Sequence, residues 1–196
     1  MMVQQMKRQQ REEEILLSLD NLTYATQKQL QVINNLGGDR NAHRILHKME
    51  KDKMISSIRT EYKIYFLSNR GKGLIGSTQG ELKKSWITHT LMRNELYIML
   101  GMPADWKKEK PVKWNGNKLI PDATFKKAGE YHFVEIDNQQ TMTTNIEKIK
   151  KYKELSYISF QELNHRPTVI WYTLSDVRKN KLKTLCENYG LKFQVY

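Results

Sequence analysis

The sequence predicts an α+β fold in two parts: a small helical unit closed by a β-hairpin, then a small mixed sheet flanked by helices. Three observations carry this. Three short runs before residue 54 place apolar residues at helical spacing, two β-prone runs then flank a polar turn at Thr60-Glu61, and after Gly80 the order reads αβββαβαβ.

At 196 residues the chain can bury one ordinary core or two small ones. No apolar run approaches the roughly 18 to 20 residues that span a bilayer, so no membrane partner is expected. Met1 to Glu14 is Gln-rich and charged, without the apolar stretch of a secretory signal, and the expected location is the cytoplasm. The one cysteine, Cys186, can form neither an internal disulfide nor a zinc cluster. Beside Leu182 and Leu185 on a helix it reads as buried. A net charge of +12 and a pI of about 9.6 point to a polyanionic partner. Up to Gly80 there are 13 basic and 8 acidic residues, and after it 20 and 13, so each half is expected to touch nucleic acid.

Arg11 to Asp20 carries Ile15, Leu16 and Leu19 at helical spacing behind three glutamates that suit a helix N-terminus. Thr23 and Thr26 offer caps for a second helix through Leu30 and Ile33, and Gly37-Gly38 breaks the chain. Asp39 is expected to cap a third helix, Arg40 to about Lys53, with Ala42, Ile45, Leu46 and Met49 on one face. The opposite face collects Arg40, Asn41, His43, Arg44, His47, Lys48 and Lys51. Arg and Asn read base edges bidentately and lysines serve phosphates, so this face suits a major groove. His43 and His47 stand four apart, but no further ligand completes a metal set.

Residues 54–59 and 62–67 form the hairpin, which adds Arg59 and Lys63 as phosphate contacts. Three helices followed by a basic hairpin predict a winged helix-turn-helix over residues 1–68. The glycine-rich stretch 69–80 reads as a linker, and its Gly-Lys-Gly lacks phosphate-loop spacing.

The second part, 81–196, opens on a helix from Glu81 to Leu100 with Trp86, Leu91, Leu96 and Tyr97 among its apolar residues. Residues 112–114, 119–125 and 131–136 then read as a three-stranded meander. After it come a helix over 143–158, a strand over 168–174, a helix over 175–189 and a last strand over 191–195. Leu119-Ile120-Pro121-Asp122-Ala123 followed by Val134-Glu135-Ile136-Asp137 sets acids on adjacent strands. That is how the core of a PD-(D/E)XK nuclease-like fold presents carboxylates to one hard cation, Mg or Mn, with Asp122 and Glu135 as the candidate metal ligands. Glu95, on the preceding helix, is the candidate for a further carboxylate. The lysine expected at position 137 is Asp137 instead. A replacement can reach in from the next helix, where Lys148 and Lys151 are about one turn apart and Lys150 faces elsewhere. The bland alternative makes Asp137-Asn138 a turn with a helix cap and Asp122 a strand-end cap.

Glu135-Ile136-Asp137 followed by Lys148-Ile149-Lys150-Lys151-Tyr152, and preceded by Pro121-Asp122-Ala123 and by His89-Thr90-Leu91 with Asn94-Glu95-Leu96, resembles the replication-relaxation family over nearly the whole chain after Glu12. The resemblance implies a protein of plasmids and other mobile elements of Gram-positive bacteria that pairs a winged helix with a PD-(D/E)XK nuclease-like domain. The family's usual Glu-apolar-Asp already lacks the orthodox lysine, so Asp137 matches the family and departs from active nucleases. By position, the resemblance marks Asp122, Glu135 and Asp137 as site acids. It adds His89, Asn94 and Glu95 from one helix, and Lys148 and Tyr152 from the helix facing them; His89, alone between two threonines, reads first as a hydrogen-bonded core residue and second as a site residue. Three functions stay open. The first is a DNA-binding accessory of replication or the relaxosome that does not cleave, with double-stranded DNA, a homodimer and replication or relaxosome proteins as partners. The second is a magnesium-dependent endonuclease, and the third a transcriptional regulator with a partner- or ligand-binding second domain.

Overall fold

The computed structural model describes residues 2–80 and 83–196. Met1, and Glu81 and Leu82 at the expected start of the long helix, lie outside the described residues. The chain divides into two compact units between Met99 and Leu100.

In the first unit, α1 runs from Met2 to Leu22, starting nine residues ahead of the expected Arg11. The lead-in has no apolar stripe, but it is rich in good helix formers and carries Arg8–Glu12 (2.7 Å) and Gln10–Glu14 (3.0 Å) contacts four residues apart. Ile15, Leu16, Leu19 and Leu22 are buried. β1 (Ala25–Thr26) leads into α2 (Gln27–Ile33), where Thr26 and Gln29 close a capping box. α3 spans Asp39–Lys51. Gly38, not Asp39, is its N-cap, and Gly37 takes a φ of +71°, which suits a residue without a Cβ. Ala42, Ile45, Leu46 and Met49 are buried as the periodicity requires. β2 (Ile55–Arg59) and β3 (Lys63–Leu67) follow, giving an antiparallel sheet in the order β1-β3-β2.

Residues 69–80 were expected to be a linker, yet Asn69–Ile75 is a helix, α4. Ser68 Oγ accepts the Gly71 N–H at its start (2.9 Å). Gly71 is required by packing: a Cβ there would stand 2.0 Å from the Met54 carbonyl oxygen. A 3-10 turn (Lys84–Trp86) precedes α5 (Ile87–Met99). Trp86, expected among the apolar helix residues, is 52% exposed. α5 belongs to the first unit, where Ile87 joins Tyr24 and Ile64 in a core cluster and Asn94 Nδ2 donates to Tyr24 O at 2.6 Å. The division between units therefore lies about twenty residues beyond the glycines, because α5 buries its apolar face against the first sheet.

The second unit holds a five-stranded sheet in the order β10-β9-β8-β7-β4. Its strands are β4 (Lys107–Lys108), β7 (Ala123–Lys127), β8 (Glu130–Ile136), β9 (Thr168–Tyr172) and β10 (Lys192–Val195). β4, β7 and β8 pair antiparallel in turn, and β8, β9 and β10 pair parallel. The parallel pairs are joined through α6 (Met142–Leu163) and α7 (Asp176–Asn188). The expected meander does not form. β5 (Val112–Trp114) and β6 (Asn117–Leu119) make a separate hairpin, because Pro121 has no N–H to give a ladder and Asp122 instead begins pairing afresh, its N–H donating to Val134 O at 2.9 Å. Cys186 is buried beside Trp171 and Leu182, and burial pushes its thiol up to about 12. No helix among the described residues is long and apolar enough to cross a membrane.

Candidate functional site

β8 is covered on both sides, so residues 133–137 are all buried although three of them are apolar and two acidic. Alternation turns Phe133 and Glu135 toward α6, where the Phe133 ring lies 5.6 Å from that of Tyr152. The register pairs Ala123 with Val134 and so brings Asp122 next to Glu135. Asp122 Oδ2 accepts the Ile136 N–H at 2.6 Å.

Glu135 is fully buried. One carboxylate oxygen accepts from Lys148 Nζ at 2.5 Å and the other from the Tyr152 hydroxyl at 2.7 Å. Burial, helped by the Asp122 charge, pushes this carboxyl up to about 7 against the opposing pull of Lys148 and Tyr152. Burial also works against the Lys148 ammonium, but Glu135, Asp122 and Asp137 outweigh it and raise its pKa. The Tyr152 hydroxyl is pushed well above its ordinary value by burial and then by Glu135.

Asp137 faces elsewhere. Its carboxylate is gripped by Arg178 through Nε (2.7 Å) and Nη2 (2.6 Å), and Asn145 Nδ2 donates to it at 2.8 Å. Arg178 Nη2 also donates to Gln140 O at 2.5 Å. The fork ties the end of β8 to the first turns of α6 and α7, and its hydrogen bond to Asp137 raises the Arg178 pKa. Arg178 and Asn145 carry no motif in the sequence, and Arg178 lies 41 residues from its partner.

The structure thus brings Asp122, Glu135, Lys148 and Tyr152 together. Lys151 approaches Lys118 O (3.4 Å), and Lys150 pairs with Glu147. Glu95 and His89 lie on α5 in the first unit, where Gln29 Nε2 is 3.4 Å from Glu95. The ammonium and the phenol hold both Glu135 oxygens and the Ile136 N–H takes one of Asp122, so a hard cation between these carboxylates would have to displace Lys148 and complete its shell with other oxygens. Among the described residues no group of three or more His, Cys, Asp or Glu is placed to hold a metal.

On α3, Arg40, His43, Arg44, His47, Lys48 and Lys51 are exposed opposite the buried stripe. The His43 and His47 rings stack at 5.9 Å. Asn41 is half-buried and plays a holding part. Its Nδ2 donates to Leu36 O (2.8 Å) while its Oδ1 accepts from Arg44 Nη2 (2.8 Å). Lys48 stands 3.3 Å from Asp52. Arg59 is exposed at the end of β2, whereas Lys63, half-buried on β3, is turned onto Glu50 at 2.5 Å.

A family model described as replication-relaxation matches residues 16–168, well over half of the chain. No curated protein matches. Among solved structures the chain is similar to that of Can2 from Sulfobacillus thermosulfidooxidans in complex with cyclic tetra-adenylate, at 11% identity and a TM-score of 0.38. The match covers 95% of this chain and 49% of that one, so the chain spans about half the length of the protein it matches. On the family match, the chain belongs to the replication-relaxation family.

Proposed function

We propose that this is a DNA-binding protein of a plasmid or other mobile element, an origin or relaxosome accessory in replication or relaxation that holds duplex DNA without cutting it. The carrying observation is the exposed face of α3, with Arg40, Arg44 and Lys51 opposite a fully buried apolar stripe. The order α1-β1-α2-α3-β2-β3, with β1 paired to β3, is that of a winged helix-turn-helix, and α3 is its recognition helix. Thirteen residues make a helix about 20 Å long, enough to lie in a major groove. Arg40 and Arg44 read base edges, with Asn41 steadying Arg44. Lys48, Lys51 and Arg59 take phosphates. Lys63 is not needed there, since it neutralises Glu50. The protein acts in the cytoplasm as a homodimer, which light scattering on the DNA complex would read as two chains per site.

Arg44→Ala is expected to weaken binding to the cognate duplex by about 1–3 kcal/mol and to relax its sequence preference. Lys51→Ala should instead reduce the slope of log affinity against log salt by about one. Titrations on cognate and random duplex check this, and equal loss on both for Arg44→Ala would refute base reading.

We read the second unit as a PD-(D/E)XK nuclease-like scaffold with its charges satisfied internally, a reading supported by its mixed sheet and by Asp122 beside Glu135 on adjacent chain segments. One observation favours the endonuclease reading: Lys148 supplies from α6 the lysine that position 137 lacks, beside Asp122 and Glu135. On that reading Mg or Mn has to displace Lys148 from Glu135, and the two readings part on whether the protein nicks supercoiled DNA.

A further inference from the structure

A second concave site lies in the same unit, on the face of the sheet that α6 covers. Antiparallel pairing sets Lys107, Thr124 and Phe133 in one row across β4, β7 and β8, and Lys126 beside Tyr131 in the next. With Leu155 and Leu163 of α6 these residues line a cleft of about 480 Å³, within the range of small-ligand sites. Its chemistry is uneven. Four lysines (107, 110, 113 and 126) stand on the lining against one carboxylate, Asp105, which already accepts the Lys126 backbone N–H at 2.9 Å. Between them is an aromatic floor. Tyr131 lies parallel to Phe133 (6.3 Å, 4°) and to His165 (5.9 Å, 16°), and Lys126 Nζ sits 4.3 Å from the Tyr131 ring centre.

We propose that this cleft holds an unpaired segment of a DNA strand, with a base stacked over Tyr131 and the flanking phosphates on Lys107, Lys110 and Lys126. The ligand must offer a flat π face and negative charge together. A base offers its face to a protein ring only when it has left the duplex stack. Lys126 now covers the Tyr131 face, so a stacking base displaces the ammonium toward its own phosphate. A free nucleotide has the same chemistry. The strand is favoured because the lysines come from β4, the following connection, β5 and β7, a rim spread over several elements and not one phosphate-cradling loop. The proposal rests on DNA being the partner, but it does not need α3.

The test is fluorescence anisotropy of the full chain with labelled oligothymidylate and, separately, with labelled cognate duplex. Tyr131→Ala, and independently the exposed pair Lys107→Ser with Lys110→Ser, should each weaken oligothymidylate binding about tenfold and change duplex binding less than twofold. Arg44→Ala should do the reverse. Unchanged oligothymidylate binding in both cleft variants, or equal losses on strand and duplex, would overturn the assignment. So would displacement of the oligonucleotide by thymidine monophosphate at comparable concentration, which marks a free-nucleotide site. Binding of oligothymidylate, weakened by the cleft variants, with no duplex binding at all would support the cleft and sink the reading of α3.

Discussion

Arg178→Ala is expected to cost the second unit about 3 kcal/mol, because it leaves a fully buried Asp137 carboxylate with Asn145 as its remaining side-chain donor. The loss is of a charge partner more than of packing, since Arg178 itself is partly exposed. Converting the stranded acid to an amide should therefore recover much of it. Asp137→Asn combined with Arg178→Ala is expected to be more stable than Arg178→Ala alone, a coupling read by a double-mutant cycle. Hydrogen exchange of the β8 and β9 amides reports this unit without assuming that the whole chain unfolds in one step. A cost below about 1 kcal/mol for Arg178→Ala, with no recovery in the double variant, would show that the fork does not hold the end of β8.

Glu135 should make the second unit less stable as pH rises. Its folded carboxyl titrates at about 7, against an ordinary value of 4.5. Between those two values the folded state binds more protons than the unfolded one, so stability falls through that window and levels off above pH 7. The full difference is on the order of 3 kcal/mol, because 1.36 kcal/mol accompanies each pH unit. Glu135→Gln keeps the shape and an acceptor for Tyr152 but removes the charge. The stability gained by this variant over the natural chain should be near zero at pH 4.5 and grow to roughly 2–3 kcal/mol by pH 8. A gain that does not change with pH would mean that Lys148 fully compensates the buried carboxylate.

What could be read in advance divides by the range of the interaction that decides it. The buried stripe of α3, Thr26 as one of two offered caps and the β2–β3 hairpin rest on neighbours within a few residues, and they were legible. Asp122, Glu135 and Lys148 were legible because strand register and helix spacing put them on one locus. Other features needed the packed molecule. α4 hides inside a glycine-rich stretch because Gly71 must lie against the Met54 carbonyl, a contact no composition reveals. The break at Pro121 turned an expected meander into a hairpin and a separate sheet, and β4, two lysines long, has no apolar signal at all. Lys63 was expected on a phosphate and Arg178 carried no signal, and only the fold delivers Lys63 to Glu50 and Arg178 to Asp137, 41 residues away.

The most direct measurement of the central claim is to incubate the full chain with supercoiled plasmid in magnesium and in manganese, then strip the protein before electrophoresis. The plasmid should be retarded while the protein is bound and recovered covalently closed once it is removed. Nicked or linear plasmid that disappears with Asp122→Ala and with Glu135→Ala would contradict it, and would make the Asp122, Glu135 and Lys148 cluster a cleaving site.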